Sequence, residues 1–419
     1  MDRSAALALD SADPLANFRS EFLITDESVC YLDGNSLGRL PRQTVQAINA
    51  TLDVWADEGV LGWAHWVNSA QRVGDLLGEV ALGAAAGQTL VCDTTSVNLY
   101  QLCGAAITAR PGRRTIITDA ANFPTDRYIL QGLAEQHGMR LVVIDNESDA
   151  QQGELITAQQ LAPYLNDDVA LVTLQVVQYR AGARHDVRAI TDLVRKHGAL
   201  MVWDAAHAVG SVELDLDDTG VDLAVGCTYK YLNSGPGAPA WMYVNHRVQA
   251  EVQVPIRGWF AQREQFQMGA NFDRADGIRG FQVASPSLLG TTSVESSLQM
   301  LKRAGMPAVA AKAVAGTEMM ISLFDTWLAP LGMTLLTPRD ASKRGGHITL
   351  GHPDALAIST ALRTKHSVIT DYRVPDSIRV AMSPLATSYA EVWDGFQRIR
   401  ECLLTQTYLD GDLQAGTVT

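Results

Sequence analysis

Between Thr89 and Gly226 the chain repeats one unit, a short apolar run followed by an amphipathic stretch, and this rhythm restricts the fold more than any other feature. The runs Thr89–Cys92, Arg114–Thr118, Arg140–Ile144, Val169–Gln175, Ala199–Trp203 and Asp222–Gly226 are continuous rather than alternating. Strands buried on both faces read this way. The stretches between them predict helices at Val97–Ala109, Thr125–His137, near Thr157–Tyr164 and at Val187–His197. An α/β fold follows, with a mainly parallel sheet between two layers of helices. Ligands of such sheets sit beyond the carboxyl ends of the strands, where Thr95/Ser96, Asp204 and Tyr229/Lys230 fall. From about residue 290 the pattern changes to longer helices and isolated strands, which predicts a smaller α+β domain over 290–419. The large domain then spans 46–289, and residues 1–45 are expected to pack with the small domain.

Composition narrows the partners. A formal net charge of −13 over 419 residues opposes binding to nucleic acid or an anionic membrane. The five cysteines, Cys30, Cys92, Cys103, Cys227 and Cys402, have no CxxC or Cys/His ligand spacing, so no metal site is expected and a reduced, cytoplasmic protein is the simplest reading. No basic leader precedes a long apolar run, and no window approaches the ~18 apolar residues of a membrane span. HExxH and P-loop motifs are absent.

The residues that carry chemistry centre on Tyr229-Lys230-Tyr231, just ahead of a Gly/Pro-rich turn. A desolvated, directed lysine amine is what Schiff-base chemistry requires, although a lone lysine is more often a surface charge. Asp204 directly follows a buried run. It reads either as a helix N-cap or as the partner of a protonated cofactor nitrogen. Asp93-Thr94-Thr95-Ser96 offers hydroxyls and free N–H groups for a phosphate, or simple capping. Phe123, before Pro124, reads as a ring-stacking residue or as ordinary core.

Five strings occur together in order: Asp33-Gly34-Asn35-Ser36-Leu37-Gly38, Thr95-Ser96-Val97-Asn98, Phe123-Pro124-Thr125-Asp126, Asp204-Ala205-Ala206-His207 and Tyr229-Lys230-Tyr231-Leu232-Asn233. Arg257-Gly258-Trp259-Phe260 and Ile378-Arg379-Val380-Ala381 follow. With these the chain resembles the kynureninase family, within the fold-type I, class V aminotransferase-like enzymes that use pyridoxal 5′-phosphate, over nearly its full length. The resemblance implies a seven-stranded-type sheet, a homodimer with the active site at the subunit interface, and hydrolysis of the Cβ–Cγ bond of kynurenine or a substituted kynurenine to an anthranilate-type acid and alanine.

It also implies roles. Lys230 holds the cofactor, Asp204 pairs with its ring nitrogen and His207 lies beside the ring. Thr95, Ser96, Tyr229, Trp259 and Ser285 contact it around the phosphate, with Trp259 and Ser285 drawn from a second subunit. Phe123 stacks, Asp126 supports the site, and Tyr229 is the acid/base for carbon–carbon cleavage. Arg379 grips the substrate α-carboxylate, with Asn35 and Ser36 nearby. Trp63, His65 and Trp66 are candidates for an aromatic clamp on the substrate, or for core.

The chain departs from the family pattern at Gln175, where a cofactor-facing threonine is common, and at Gln178 and Ser285. Three rivals are a transaminase or β-lyase of the same class, a cysteine desulfurase, and a catalytically silent binding protein. The desulfurase needs a nucleophilic cysteine, and none lies between Cys227 and Cys402.

Overall fold

The computed structural model describes residues 1–146 and 154–410. Its centre is a sheet of seven strands: β1 (Thr89–Val91), β2 (Thr115–Asp119), β3 (Arg140–Ile144), β4 (Val169–Gln175), β5 (Leu200–Asp204), β6 (Leu223–Gly226) and β7 (Trp241–Val244). Their order is β1-β7-β6-β5-β4-β2-β3. Only β7 runs against its neighbours, pairing antiparallel with both β1 and β6. Strands β2, β4, β5 and β6 are buried at every residue, as their unbroken apolar sequences require. The sequence rhythm finds all of them except β7, whose four residues follow the Gly/Pro turn without a helix between.

Helices cover the sheet. Thr94 accepts a hydrogen bond from Val97 N and starts α1 (Thr95–Thr108), while Pro124 occupies the first turn of α2 (Pro124–His137). Asp186 caps α3 (Val187–Lys196), whose Thr191 hydroxyl accepts from the buried Trp203 indole at 2.9 Å. These caps fix where each helix begins, and so fix the short turns at the carboxyl ends of the strands.

A second sheet holds β8 (Thr334–Leu335), β9 (His347–Gly351), β10 (Asp371–Arg373) and β11 (Ser377–Ala381), all antiparallel, in the order β10-β11-β9-β8. Its core includes Met320, Phe324, Ile348, Ile358, Val380 and Phe396. The N-terminal segment touches both cores. Cys30–Tyr31 pairs in parallel with Val368–Ile369, and Ala6 and Leu32 join the small core, while Leu15 and Phe22 join the large one. Across the change of pattern at 290, the helix Leu288–Ala304 buries Val294, Leu298 and Leu301 in the large core.

Candidate active site

Where the carboxyl ends of β4, β5 and β6 meet the amino end of α1, a cleft is lined by Gln175, Asp204, His207, Tyr229 and Lys230. Thr95, Ser96, Phe123 and Asp126 close its other side. Lys230 reaches it from a tight turn after β6: Asn233 N donates to Lys230 O at 2.9 Å, and Asn233 takes the left-handed conformation that asparagine tolerates, with φ 59°. Asp33–Gly38 lies directly on this turn. Gly38 N donates to Tyr229 O at 2.8 Å, and a side chain at Gly38 would strike the Lys230 carbonyl and Asn233.

The electrostatics follow from burial. Lys230 Nζ sits 2.8 Å from His207 Nε2, which also receives Arg379 Nη1 at 3.4 Å. The Arg379 guanidinium can only donate, so Nε2 is the acceptor and His207 is neutral with its proton on Nδ1, an arrangement that the Lys230 amine satisfies in its neutral form as well. Burial, reinforced by Lys230 and Arg379, holds the His207 pKa well below its ordinary value. Burial also lowers that of Lys230, which favours the neutral, nucleophilic amine. Asp204 Oδ1 accepts from Ala206 N at 2.8 Å and Oδ2 from Gln175 Nε2 at 3.2 Å. Burial raises the Asp204 pKa against these bonds and the Lys230 charge. Burial, then Asp204, raises Asp126 well above the carboxylate range. The neighbouring Cys227, then burial, push the Tyr229 phenol above its ordinary value, so it stands protonated at neutral pH.

A second group of charges closes the far end. Arg379, buried in β11, donates through Nε to Asp371 Oδ1 at 2.8 Å and through Nη2 to Asp371 Oδ2 and to Ser36 Oγ, the latter at 3.0 Å. Its Nη1 donates to Tyr179 O at 2.6 Å. Asp371 and Arg379 are direct cross-strand partners. Asp371 also binds Ser36 and, at 2.9 Å, Arg373. Asp33 joins this cluster, its pKa pushed up to about 7 by burial and by Asp371. Asn35 is fully buried, and among the described residues neither amide atom has a partner.

Several expected residues lie elsewhere in this chain. Trp259 is 42% exposed and Ser285 is exposed, and neither lines the cleft. The two travel together, since the backbone of Gly258 passes so close to Val283 that no side chain fits. Trp63, His65 and Trp66 also lie outside the cleft lining. Trp63 packs edge-on against Trp66 with 6.1 Å between ring centroids, and exposed His65 pairs with Glu58 at 3.3 Å. They are not part of the core. Sequence reasoning missed Asp371, Tyr179 and His185. A charged residue inside the buried strand Ser377–Ala381 demands a buried partner, a signal that calls for an acid without naming Asp371.

The donor set fits pyridoxal phosphate. A neutralisable amine stands opposite a carboxylate, hydroxyls lie at a helix N-terminus, and a phenyl ring borders the space. His207 Nδ1 and Asp126 Oδ2 are buried there with no partner among the described residues. Residues 309–399 match the family model described as the kynureninase C-terminal domain. The chain is 37% identical to a kynureninase of Pseudomonas fluorescens over 421 aligned positions, covering 98% of each chain. It is 36% identical to a kynureninase of Burkholderia pseudomallei, over 97% of this chain and 96% of that one. Among solved structures, the apo cysteine desulfurase of Thermococcus onnurineus superposes with a TM-score of 0.78 at 16% identity, over 93% of this chain and 98% of that one. A cystine C–S lyase, C-DES, with its product cysteine persulfide superposes at 0.77 and 18% identity, over 90% of this chain and 98% of that one. At such identities the likeness extends to the fold.

Proposed function

The chain belongs to the kynureninase family, and from that membership and the cleft geometry we propose how it acts: it is a pyridoxal phosphate enzyme that hydrolyses the Cβ–Cγ bond of L-kynurenine, giving an anthranilate-type acid and L-alanine. The observation that carries the residue assignments is the buried amine of Lys230, held 2.8 Å from His207 at the strand ends that also present Asp204.

When bound, pyridoxal phosphate supplies an electron sink for negative charge at the substrate Cα. Asp204 would receive the ring N–H, Phe123 would border the ring, and Thr95 and Ser96, at the start of α1, would hold the phosphate. Asp126 and His207 offer their unpartnered atoms to the same ligand. Lys230, its pKa lowered by burial, would hold the cofactor covalently, and its amine is placed to take the proton from the substrate Cα. Hydrolysis places the oxygen of water on Cγ and a hydrogen on Cβ. Tyr229, protonated at neutral pH, donates that hydrogen. Arg379 takes the α-carboxylate, exchanging its contacts to Ser36 and His207 for the substrate while Asp371 keeps it in plane; the buried amide of Asn35, next to Ser36 in sequence, is a further polar group for the substrate.

We assign the active unit as a homodimer in the cytoplasm. The reading rests on an exposed apolar set, Trp55, Val60, Leu61, Trp63, Phe266 and Met268, and on Trp259 and Ser285, which are fixed to each other yet turned away from their own cleft. A second copy brings them to the phosphate. The five cysteines are buried and unpaired, which suits a reducing compartment. Among the described residues, no helix is long and apolar enough to cross a membrane. The fold neighbours include desulfurases, but no cysteine lies between Cys227 and Cys402 to serve as their nucleophile.

Turnover of L-kynurenine and of L-3-hydroxykynurenine, with the aryl acid and alanine measured together, tests this reading. Equal amounts of both products are expected. A keto-acid-dependent product without alanine would establish the transaminase instead. Tyr229→Phe should retain cofactor and lose cleavage by roughly 10²-fold or more; unchanged cleavage would remove Tyr229 from the reaction.

A further inference from the structure

Gln175 ends β4 and Asp204 ends β5, and the two are register partners in the parallel pair, so their side chains leave the same face of the sheet at the cleft. Gln175 uses its whole amide. Nε2 donates to Asp204 Oδ2 at 3.2 Å, and Oε1 accepts from Tyr179 N at 3.2 Å. Its backbone is held as well: His185 Nδ1 lies 2.7 Å from Gln175 O, while His185 Nε2 accepts from Ile156 N at 3.0 Å, which fixes the neutral Nδ1–H tautomer.

The segment so anchored leads straight to Tyr179. The Tyr179 ring packs edge-on against Phe123 with 5.2 Å between centroids, and its carbonyl takes a hydrogen bond from Arg379. One glutamine therefore touches the carboxylate at the bottom of the cleft and the segment that links the stacking ring to the substrate-side arginine. The threonine common at this position is shorter and cannot span both contacts.

We propose that Gln175 is the positioning residue for Asp204, keeping its carboxylate ionised and aimed so that the cofactor's ring nitrogen stays protonated. Its donor and that of Ala206 N occupy one lone pair on each carboxylate oxygen and leave the others for a cationic N–H. The inference rests on the pyridoxal phosphate reading above.

The test is the pyridoxal phosphate dissociation constant of the full-length protein, with the pH titration of its visible band, for wild type, Gln175→Met and Gln175→Glu. Gln175→Met keeps the length and loses the donor. Its dissociation constant should rise about tenfold, and the band midpoint, which reports the proton on the nitrogen joined to Lys230, should move upward because a ring nitrogen without its own proton no longer repels that charge. Gln175→Glu carries an O–H donor only when protonated. Its affinity should approach wild type at low pH and fall away as pH rises, a dependence that a merely structural role does not produce. Circular dichroism confirms that each variant is folded, and if Gln175→Met fails to fold, the Gln175→Glu profile alone decides. Equal constants and midpoints in all three proteins would overturn the inference. A wild-type protein that binds no cofactor would instead overturn the functional reading beneath it.

Discussion

The two ends of the cleft are built in opposite ways. At the cofactor end, Asp204, His207, Lys230 and Gln175 come from neighbouring strand ends of one sheet, and His207 and Asp126 keep buried polar atoms without protein partners. At the substrate end, Ser36, Tyr179, Asp371 and Arg379 come from separate stretches of chain, and Arg379 has partners on all three nitrogens. The first end is a preformed socket with open valences, and the second is an ion cluster already satisfied by its own chain. A cofactor fills the former at little reorganisation, whereas a substrate carboxylate must displace contacts in the latter, so affinity for substrate is what remains after that exchange.

The largest expected effect tests the socket. Lys230→Ala removes the amine that the sheet was built to present, and carbon–carbon cleavage should fall on the order of 10³-fold or more, with the visible band of the resting enzyme lost. Retention of that band would mean another group holds the cofactor. The next effect tests the cluster. Arg379→Ala should cost about 2–5 kcal/mol of substrate binding, read as a rise in KM of at least roughly 30-fold, with the cofactor dissociation constant little changed. A similar loss at both ends would show that the two are not separate devices.

The same contrast explains what the sequence could reveal. Asp204 and Lys230 are legible because their meaning is local: a polar residue immediately beyond a buried apolar run marks a strand's carboxyl end, and the parallel rhythm says where those ends meet. The partnership of Asp371 with Arg379 depends on cross-strand register, which the seven intervening residues do not declare. Trp63 and Trp66 read as core or clamp because spacing carries no information on burial, and 39% exposure at Trp63 removes the core reading. Leu288–Ala304 was likewise legible as a helix but not as a member of the large core, since amphipathicity gives a buried face without naming what covers it.

The smallest expected effect asks whether the socket's stiffness has a pH limit. His185 is buried behind Gln175, donating to its carbonyl and accepting from Ile156 N, an arrangement only the neutral ring satisfies. Burial lowers its pKa from 6.5 to about 4. The unfolded chain therefore takes up a proton at His185 as pH falls below 6.5, while the folded chain does so only near 4. The sign follows: this contribution is fully present above 6.5 and is lost as pH falls towards 4, amounting to about 3 kcal/mol at the lower limit. His185→Gln can make both hydrogen bonds without titrating. It should match wild type at pH 7 within about 1 kcal/mol and unfold at a lower pH, while His347, also buried and neutral, contributes equally to both proteins and cancels. Denaturant midpoints measured from pH 7 to pH 4 read the difference directly. Parallel pH dependences would mean that His185 is not what limits the cofactor end in acid, and that the sheet alone holds Gln175 in place.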